Sequence, residues 1–366
     1  MLVRWLASRL GLLAFSLTAA TAVGCASPTD DGDDVAAEGA DQALVERHVE
    51  GLSAIAPAPR LVTTRATAAM LGAALPASRK LVVIRELKLD GTAARLVVDA
   101  TSLETAVVSS SALSGGTRAA VASDDFEATP YIASLRDLAT TRRALERIDD
   151  DAPTGGAREP FALTVDMCQS RKPWEKRLFD WAVDLSTQTG KPVPVGVAMT
   201  GGWAKAYPNE LDQLLGWERD GKLAITWINH SATHPLHCED ASCRRAKFLT
   251  DASVDFDAEV LGLERALISR GMLPSPIFRF PGLTHDRTRL EQLSRLSLMP
   301  IDADAWIAKG QPIRPGSVVL VHGNGNEPQG IDAFLRAVRE PSRAAALRSG
   351  QSALVSPLLI APAPPR

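Results

Sequence analysis

Histidine is scarce in this chain of 366 residues: there are six, alongside two tyrosines and four cysteines. No run of lysine or arginine appears, and the formal net charge is -3 with a pI near 6.1. A duplex binder carries a clustered basic face, so no nucleic-acid partner is expected. No G-x-G-x-x-G loop follows any apolar run, which removes the usual ground for a nicotinamide cofactor. No internal repeat is visible. The N-terminal apolar stretch "LGLLAFSLTAATAVGC", residues 10–25, is too short for a comfortable membrane span.

That stretch follows Arg4 and Arg9 and ends in small residues before Cys25, the layout of an export signal. "AVGC" resembles a bacterial lipobox, in which the cysteine becomes the lipidated first residue of the mature protein. Residues 1–25 are therefore read as a lipoprotein-type signal. Alanine replaces the commoner leucine three positions before Cys25, so an ordinary cleaved secretory peptide is the alternative, and the protein is read as exported in either case. It is expected to touch the membrane through a lipid on Cys25, in the bacterial cell envelope (outer membrane or periplasm in a Gram-negative cell). Residues 26–41 are acidic and small-residue-rich without apolar periodicity, and read as a flexible tether. With Cys25 acylated, an odd set remains: Cys168, Cys238 and Cys243.

Residues 42–155 form an N-terminal α+β region of unassigned role. "QALVERHVEGLSAI" has helical spacing, and "KLVVIRELKLDGTAARLVVDA" reads as two strands joined by a loop longer than a tight turn. "YIASLRDLATTRRALERI" is amphipathic and helical, and 149–160 is a linker by composition. His48 reads as a solvated surface residue. From 156 to 345 apolar runs such as "FALTVDM", "VPVGVAM", "LAITWIN", "PIFRF", "MPIDADAW" and "SVVLVHG" alternate with amphipathic stretches. That alternation predicts parallel βα units and an α/β fold, a (β/α) barrel, complete or not. Residues 346–366 are a C-terminal tail that adds at most one strand.

In such a barrel the reactive face lies at the C-terminal strand ends. Those ends deliver Asp166, His230 with His234, Arg279, Asp302 with Asp304 and Trp306, and His322. Five successive ends with an ionisable residue after an apolar run are hard to ascribe to chance.

Taken in order, "TVDM", "HSATH", "RFP", "DADAW" and "LVH" resemble the five motifs of the NodB-homology polysaccharide deacetylases, carbohydrate esterase family 4. The resemblance covers residues 161–340, about half of the chain; the second, third and fifth motifs match cleanly, and the fourth is loose. It implies a distorted seven-stranded barrel and hydrolysis of N-acetyl groups on a glycan such as peptidoglycan or another N-acetylhexosamine polymer. It also implies a divalent metal, Zn²⁺ by preference, on His230 and His234, with Asp166 as general base and Arg279 orienting it. His322 becomes the general acid, held by Asp302 or Asp304, while Trp306, Leu320 and Pro281 match substrate-facing positions. Metal-bound water and positioned proton donors are what amide hydrolysis needs.

The first motif departs from the pattern, because Met167 stands where the family has a metal-ligand aspartate. A thioether is a poor substitute for a carboxylate on Zn²⁺. Three readings follow, in order of preference: Asp166 takes over coordination, catalysis is lost and a glycan-binding lipoprotein remains, or Cys168 supplies a thiolate. Cys238 and Cys243 form a local disulfide on the simplest reading; otherwise one of them reaches Cys168. His237 and His285 read as loop residues, and "GNGNE" after His322 as a turn.

Overall fold

The structure is a computed structural model describing residues 46–55, 60–64, 69–72, 79–114, 124–238 and 246–360. Residues 44–366 form one compact unit. The leader, Cys25, the acidic tether and Cys243 lie outside the described residues. No described helix is long and apolar enough to cross a membrane.

The chain first builds an antiparallel sheet from β1 (Val49–Ala54), β2 (Arg60–Thr64), β3 (Lys80–Leu89), β4 (Thr92–Asp99), β5 (Thr105–Ser109) and β6 (Leu113–Ser114). Its order is β5-β4-β3-β2-β6, with β1 also paired to β3. Two expectations change here. Residues 49–54 are a strand, not part of a helix. Gly51 has a φ of +60° where the β1–β3 register shifts, and glycine in a helix costs about 1 kcal/mol relative to alanine. The β3–β4 connection is also a tight two-residue turn: Asp90 and Gly91 have φ of 51° and 77°, the left-handed pair that a hairpin needs.

After α1 (Asp124–Glu127) and α2 (Pro130–Thr141) the chain enters the alternating region. Its elements are β7 (Glu159–Met167), α3 (Lys176–Thr189), β8 (Val193–Met199), α4 (Gly201–Ala206), α5 (Pro208–Arg219) and β9 (Leu223–Asn229). A small hairpin of β10 (His237–Cys238) and β11 (Ala246–Lys247) precedes α6 (Phe256–Ser269), β12 (Pro274–Phe278) and α7 (Arg287–Arg295). The remainder is β13 (Met299–Pro300), β14 (Ala305–Trp306), β15 (Ser317–His322), α8 (Pro328–Arg339), α9 (Pro341–Ser349) and β16 (Ser352–Leu354). Seven strands run in the order β13-β12-β9-β8-β7-β15-β14, with β16 on β7, and all the pairings are parallel. This is a distorted (β/α) barrel.

The strand expected over 299–306 is broken in two, one part on β12 and the other on β15. The gap is spanned from the N-terminal region. Helix α2 stops at Arg142, which is left-handed with φ 53°, and no helix continues over 143–148. Leu145 forms a bridge with Ile301, and Arg147 with Ser317. The Asp302 N–H donates to the Leu145 carbonyl at 2.8 Å, and the Ile148 N–H to that of Gly316, also at 2.8 Å. Residues 145–148 thus link the two sides of the barrel seam.

Successive side chains of a strand face opposite sides, and that rule sorts β7. Phe161, Leu163, Val165 and Met167 pack into the helical layer with Leu178, Phe179, Leu211 and Phe334. Ala162 faces the other way, into a core shared with Val82, Leu96 and Val98 of the antiparallel sheet. Thr164 and Asp166 share the parity of Ala162. The functional face of the barrel is this inner one.

Candidate metal and acid–base site

Strand β7 ends with Asp166 on the inner face and Cys168 just beyond it. In the β7–β15 register His322 sits opposite Asp166, so neighbouring strands present the two groups side by side. Arg279, just past β12 and fully buried, reaches across the mouth. Its Nη1 donates to Asp166 Oδ1 at 3.1 Å and its Nη2 to Thr164 Oγ1 at 2.9 Å. The guanidinium thereby fixes one oxygen of Asp166. The other, Oδ2, lies 3.8 Å from His230 Nε2.

His230 and His234 sit on a loop after β9, not on a helix face. Ser231 and His234 are left-handed, with φ of 72° and 50°, a strained arrangement of the kind that persists only where the surroundings hold it. Asn229 Oδ1 accepts from the Ser231 N–H at 3.0 Å, and the His234 N–H donates to Ser231 Oγ at 3.0 Å. The Glu259 carboxylate of α6 accepts from the N–H and the hydroxyl of Thr233. The His230 Nδ1–H donates to the Arg279 carbonyl at 2.8 Å, which fixes the tautomer and leaves the Nε2 lone pair facing the site. Burial holds both rings neutral: His230 is pushed down to about 3, and His234 is lowered for the same reason. Neutral imidazole is the form that binds a metal.

The third donor beside them is Cys168. Its Sγ is 3.4 Å from His230 Nε2, and donor atoms of Cys168, His230 and His234 all lie within 4.8 Å of one another. Asn324 Nδ2 donates to the Cys168 carbonyl at 3.2 Å and anchors this turn. Burial, and then the Asp166 charge, push the Cys168 thiol well above its ordinary pKa. Met167 has no place here. It is fully buried in the helical layer, so a carboxylate put at 167 would enter apolar packing instead of the site. Gly323 confirms how tight that layer is, since a Cβ there would lie 2.5 Å from Met167 Sδ.

His322 is held by a residue that the sequence motifs do not point to. Its Nδ1–H donates to Glu327 Oε2 at 2.7 Å, and Trp306 Nε1–H donates to the same oxygen at 3.0 Å. Lys309 Nζ stands 3.4 Å from the Trp306 ring centre. Burial opposes charge on His322, but the Glu327 hydrogen bond and the nearby carboxylates outweigh it, and its pKa is raised. Glu327 is lowered, chiefly by the His322 bond. The assignment of Asp302 or Asp304 to this role is therefore corrected. Asp304 is engaged at the barrel seam with Arg147, Ser317 Oγ and the Val318 N–H. Asp302 accepts from His285 Nε2 at 3.1 Å, so His285 is a paired residue rather than a free loop histidine.

Of the other expected site residues, Leu320 is buried on the inner face two residues before His322, and the Trp306 ring lies 5.7 Å from the His322 ring. Pro281 is buried where the chain turns after Arg279. His48, exposed and paired with Glu50, and His237, exposed in the β10–β11 hairpin, take no part. Cys238 is disulfide-bonded while Cys168 is a free thiol, so Cys238 is not bridged to Cys168. A cavity of about 700 Å³ lined by Arg158, Glu159 and Arg343 opens at the opposite end of β7 and holds none of these groups.

No family model matches the chain. Among solved structures it is similar to a mutant of a carbohydrate esterase family 4 pseudoenzyme of Bacillus anthracis with restored enzymatic activity. That match has 15% identity and a TM-score of 0.34, covers 51% of this chain, and spans 65% of that one, just under two thirds. It is also similar to a family 4 carbohydrate esterase of Bacillus subtilis (16% identity, 61% of this chain, 86% of that chain, TM-score 0.41). A third is the chitin deacetylase of Colletotrichum lindemuthianum (16% identity, 61% and 93%, TM-score 0.41).

Proposed function

We propose that the protein is an exported, metal-dependent deacetylase that removes N-acetyl groups from a glycan, carried to the envelope by a lipid on Cys25. The single observation supporting it most is the placement of a carboxylate and an imidazole side by side next to the His230–His234 couple. Asp166, pinned through one oxygen by Arg279, faces His322, whose imidazolium is favoured by Glu327. His230 and His234 would hold a divalent cation such as Zn²⁺, which would supply Lewis acidity towards a carbonyl and a lowered pKa for water. Asp166 takes the proton from the attacking water, and Arg279 keeps its carboxylate in place for that transfer. His322 gives its proton to the departing amine. The base and the acid come from adjacent strands, so both can reach one amide. The motif resemblance supplies the substrate class, an N-acetylated polysaccharide.

The test is acetate release from N-acetylglucosamine oligomers by the full chain. Release that a chelator abolishes, that zinc restores and that His230→Ala lacks is the expected result. Glycan binding without any acetate would instead favour the binding-protein reading.

Glu327→Gln should separate acid from base. The raised His322 pKa means that its protonated form persists above the ordinary value near 6.5. Removing the Glu327 charge lowers that pKa, so the protonated form is lost at lower pH and the alkaline limb of the rate profile moves down. A fall of about 10–100-fold in kcat at neutral pH is expected. Imidazole NMR of His322 reads the pKa directly; an unmoved resonance would refute the role of Glu327.

A further inference from the structure

The donor geometry points to Cys168 as a thiolate ligand that completes a Cys–His–His centre with His230 and His234, selecting thiophilic cations and leaving Asp166 off the metal. The assignment rests on the reading of this site as a metal centre and deepens it by naming the ligand set and the class of ion.

The distance to His230, together with the hold of Arg279 on Asp166, favours Cys168 over Asp166 as the third ligand, and the donor atoms of Cys168, His230 and His234 lie within 4.8 Å of one another. With Zn–N near 2.0 Å and Zn–S near 2.3 Å, a tetrahedral site puts sulfur and nitrogen roughly 3.5 Å apart. Cys168 Sγ and His230 Nε2 are 3.4 Å apart. The same arithmetic places a carboxylate oxygen roughly 3.3 Å from the imidazole nitrogen, and Asp166 Oδ2 is at 3.8 Å. Its other oxygen is held back by Arg279. Cys168 and His230 are both buried and each is anchored from behind, Cys168 through its carbonyl by Asn324 and His230 through Nδ1 by the Arg279 carbonyl. Three protein donors leave a tetrahedral position open, the layout of catalytic rather than structural zinc. On binding, the Cys168 S–H bond breaks, the sulfur–metal bond forms, and the proton passes to solvent buffer.

A thiolate and two imidazoles suit Zn²⁺, Co²⁺ and Cd²⁺, whereas Mg²⁺ and Ca²⁺ prefer oxygen donors. Cobalt-loaded full-length protein should therefore show a thiolate-to-cobalt charge-transfer band in the near ultraviolet. Cys168→Ser and Cys168→Asp should both lose that band, and Asp166→Asn should keep it. Zinc affinity in Cys168→Ser should fall by more than the roughly 10–100-fold that loss of an outer-shell partner costs. A band retained in the Cys168 variants overturns the assignment. Should neither variant fold, cadmium NMR of the unaltered chain reads the same donor, and a resonance in the range of all-nitrogen-and-oxygen sites overturns it. A band without acetate release would refute the deacetylase reading and leave the ligand standing; acetate release without a band does the reverse.

Discussion

Replacing Glu264 with alanine is expected to destabilise the fold by about 3–5 kcal/mol, the cost of stranding a buried guanidinium. Glu264 lies on α6 and Arg85 on β3, 179 positions apart in sequence, and neither has any exposed side-chain surface. The pairing is bidentate: Arg85 Nε to Glu264 Oε2 at 2.6 Å, and Nη2 to Oε1 at 2.7 Å. The remaining Arg85 nitrogen, Nη1, donates to the carbonyls of Ile84 and Leu296, each at 2.7 Å. Every guanidinium nitrogen is thus satisfied between the antiparallel sheet and the barrel. Alanine at 264 removes two of these bonds and, among the described residues, the only countercharge in contact. Urea denaturation measures the loss; a shift worth less than about 1 kcal/mol would match a solvated surface pair instead. The double change Arg85→Met with Glu264→Leu should recover most of the stability, because the apolar pair needs no countercharge.

This ion pair also shows what the sequence could not display. The parallel region is legible because each strand is a short apolar run bounded by polar residues: residues 193–199 and 223–229 begin and end as the pattern predicts. Helical spacing misleads at 49–54, where a glycine takes a left-handed bulge that no helix accommodates. Strand 299–306 fails for another reason. Asp302 pairs with His285 and Asp304 with Arg147 and the Val318 N–H, and the seam itself is made by residues 145–148, remote in sequence.

At the site, Asp166, Arg279, His230, His234 and His322 lie on neighbouring strand ends, whereas Asp302 and Asp304 turn to other partners. The errors are ones of parity and of reach. Positions 166 and 167 are adjacent in a motif but face opposite sides of a pleated strand, which puts Met167 among the helices and lets Cys168 return to the inner face. Glu327 escapes the motif pattern because it lies beyond the last motif, in a turn that brings it back onto His322. The available signal was a carboxylate five residues after the histidine, directly before a proline-initiated helix.

Asp166→Asn should leave the site assembled and nearly silent. The amide keeps the shape of the carboxylate, and its oxygen can still accept from Arg279 Nη1, which holds Asp166 Oδ1 at 3.1 Å. Thr164 Oγ1 retains its own bond from Nη2, so the arginine stays where it is. What disappears is the ability to accept a proton, and loss of a positioned general base costs about 10²–10⁴ in rate. Acetate release should fall by that factor at every pH, unlike the Glu327→Gln effect, which depends on pH. Zinc content should hold close to one ion per chain, because the ligands proposed for it are Cys168, His230 and His234. Activity within about tenfold of the unaltered protein would mean that another group takes the proton. Loss of zinc together with activity would place Asp166 on the metal, and the division of labour between carboxylate and thiolate would have to be reversed.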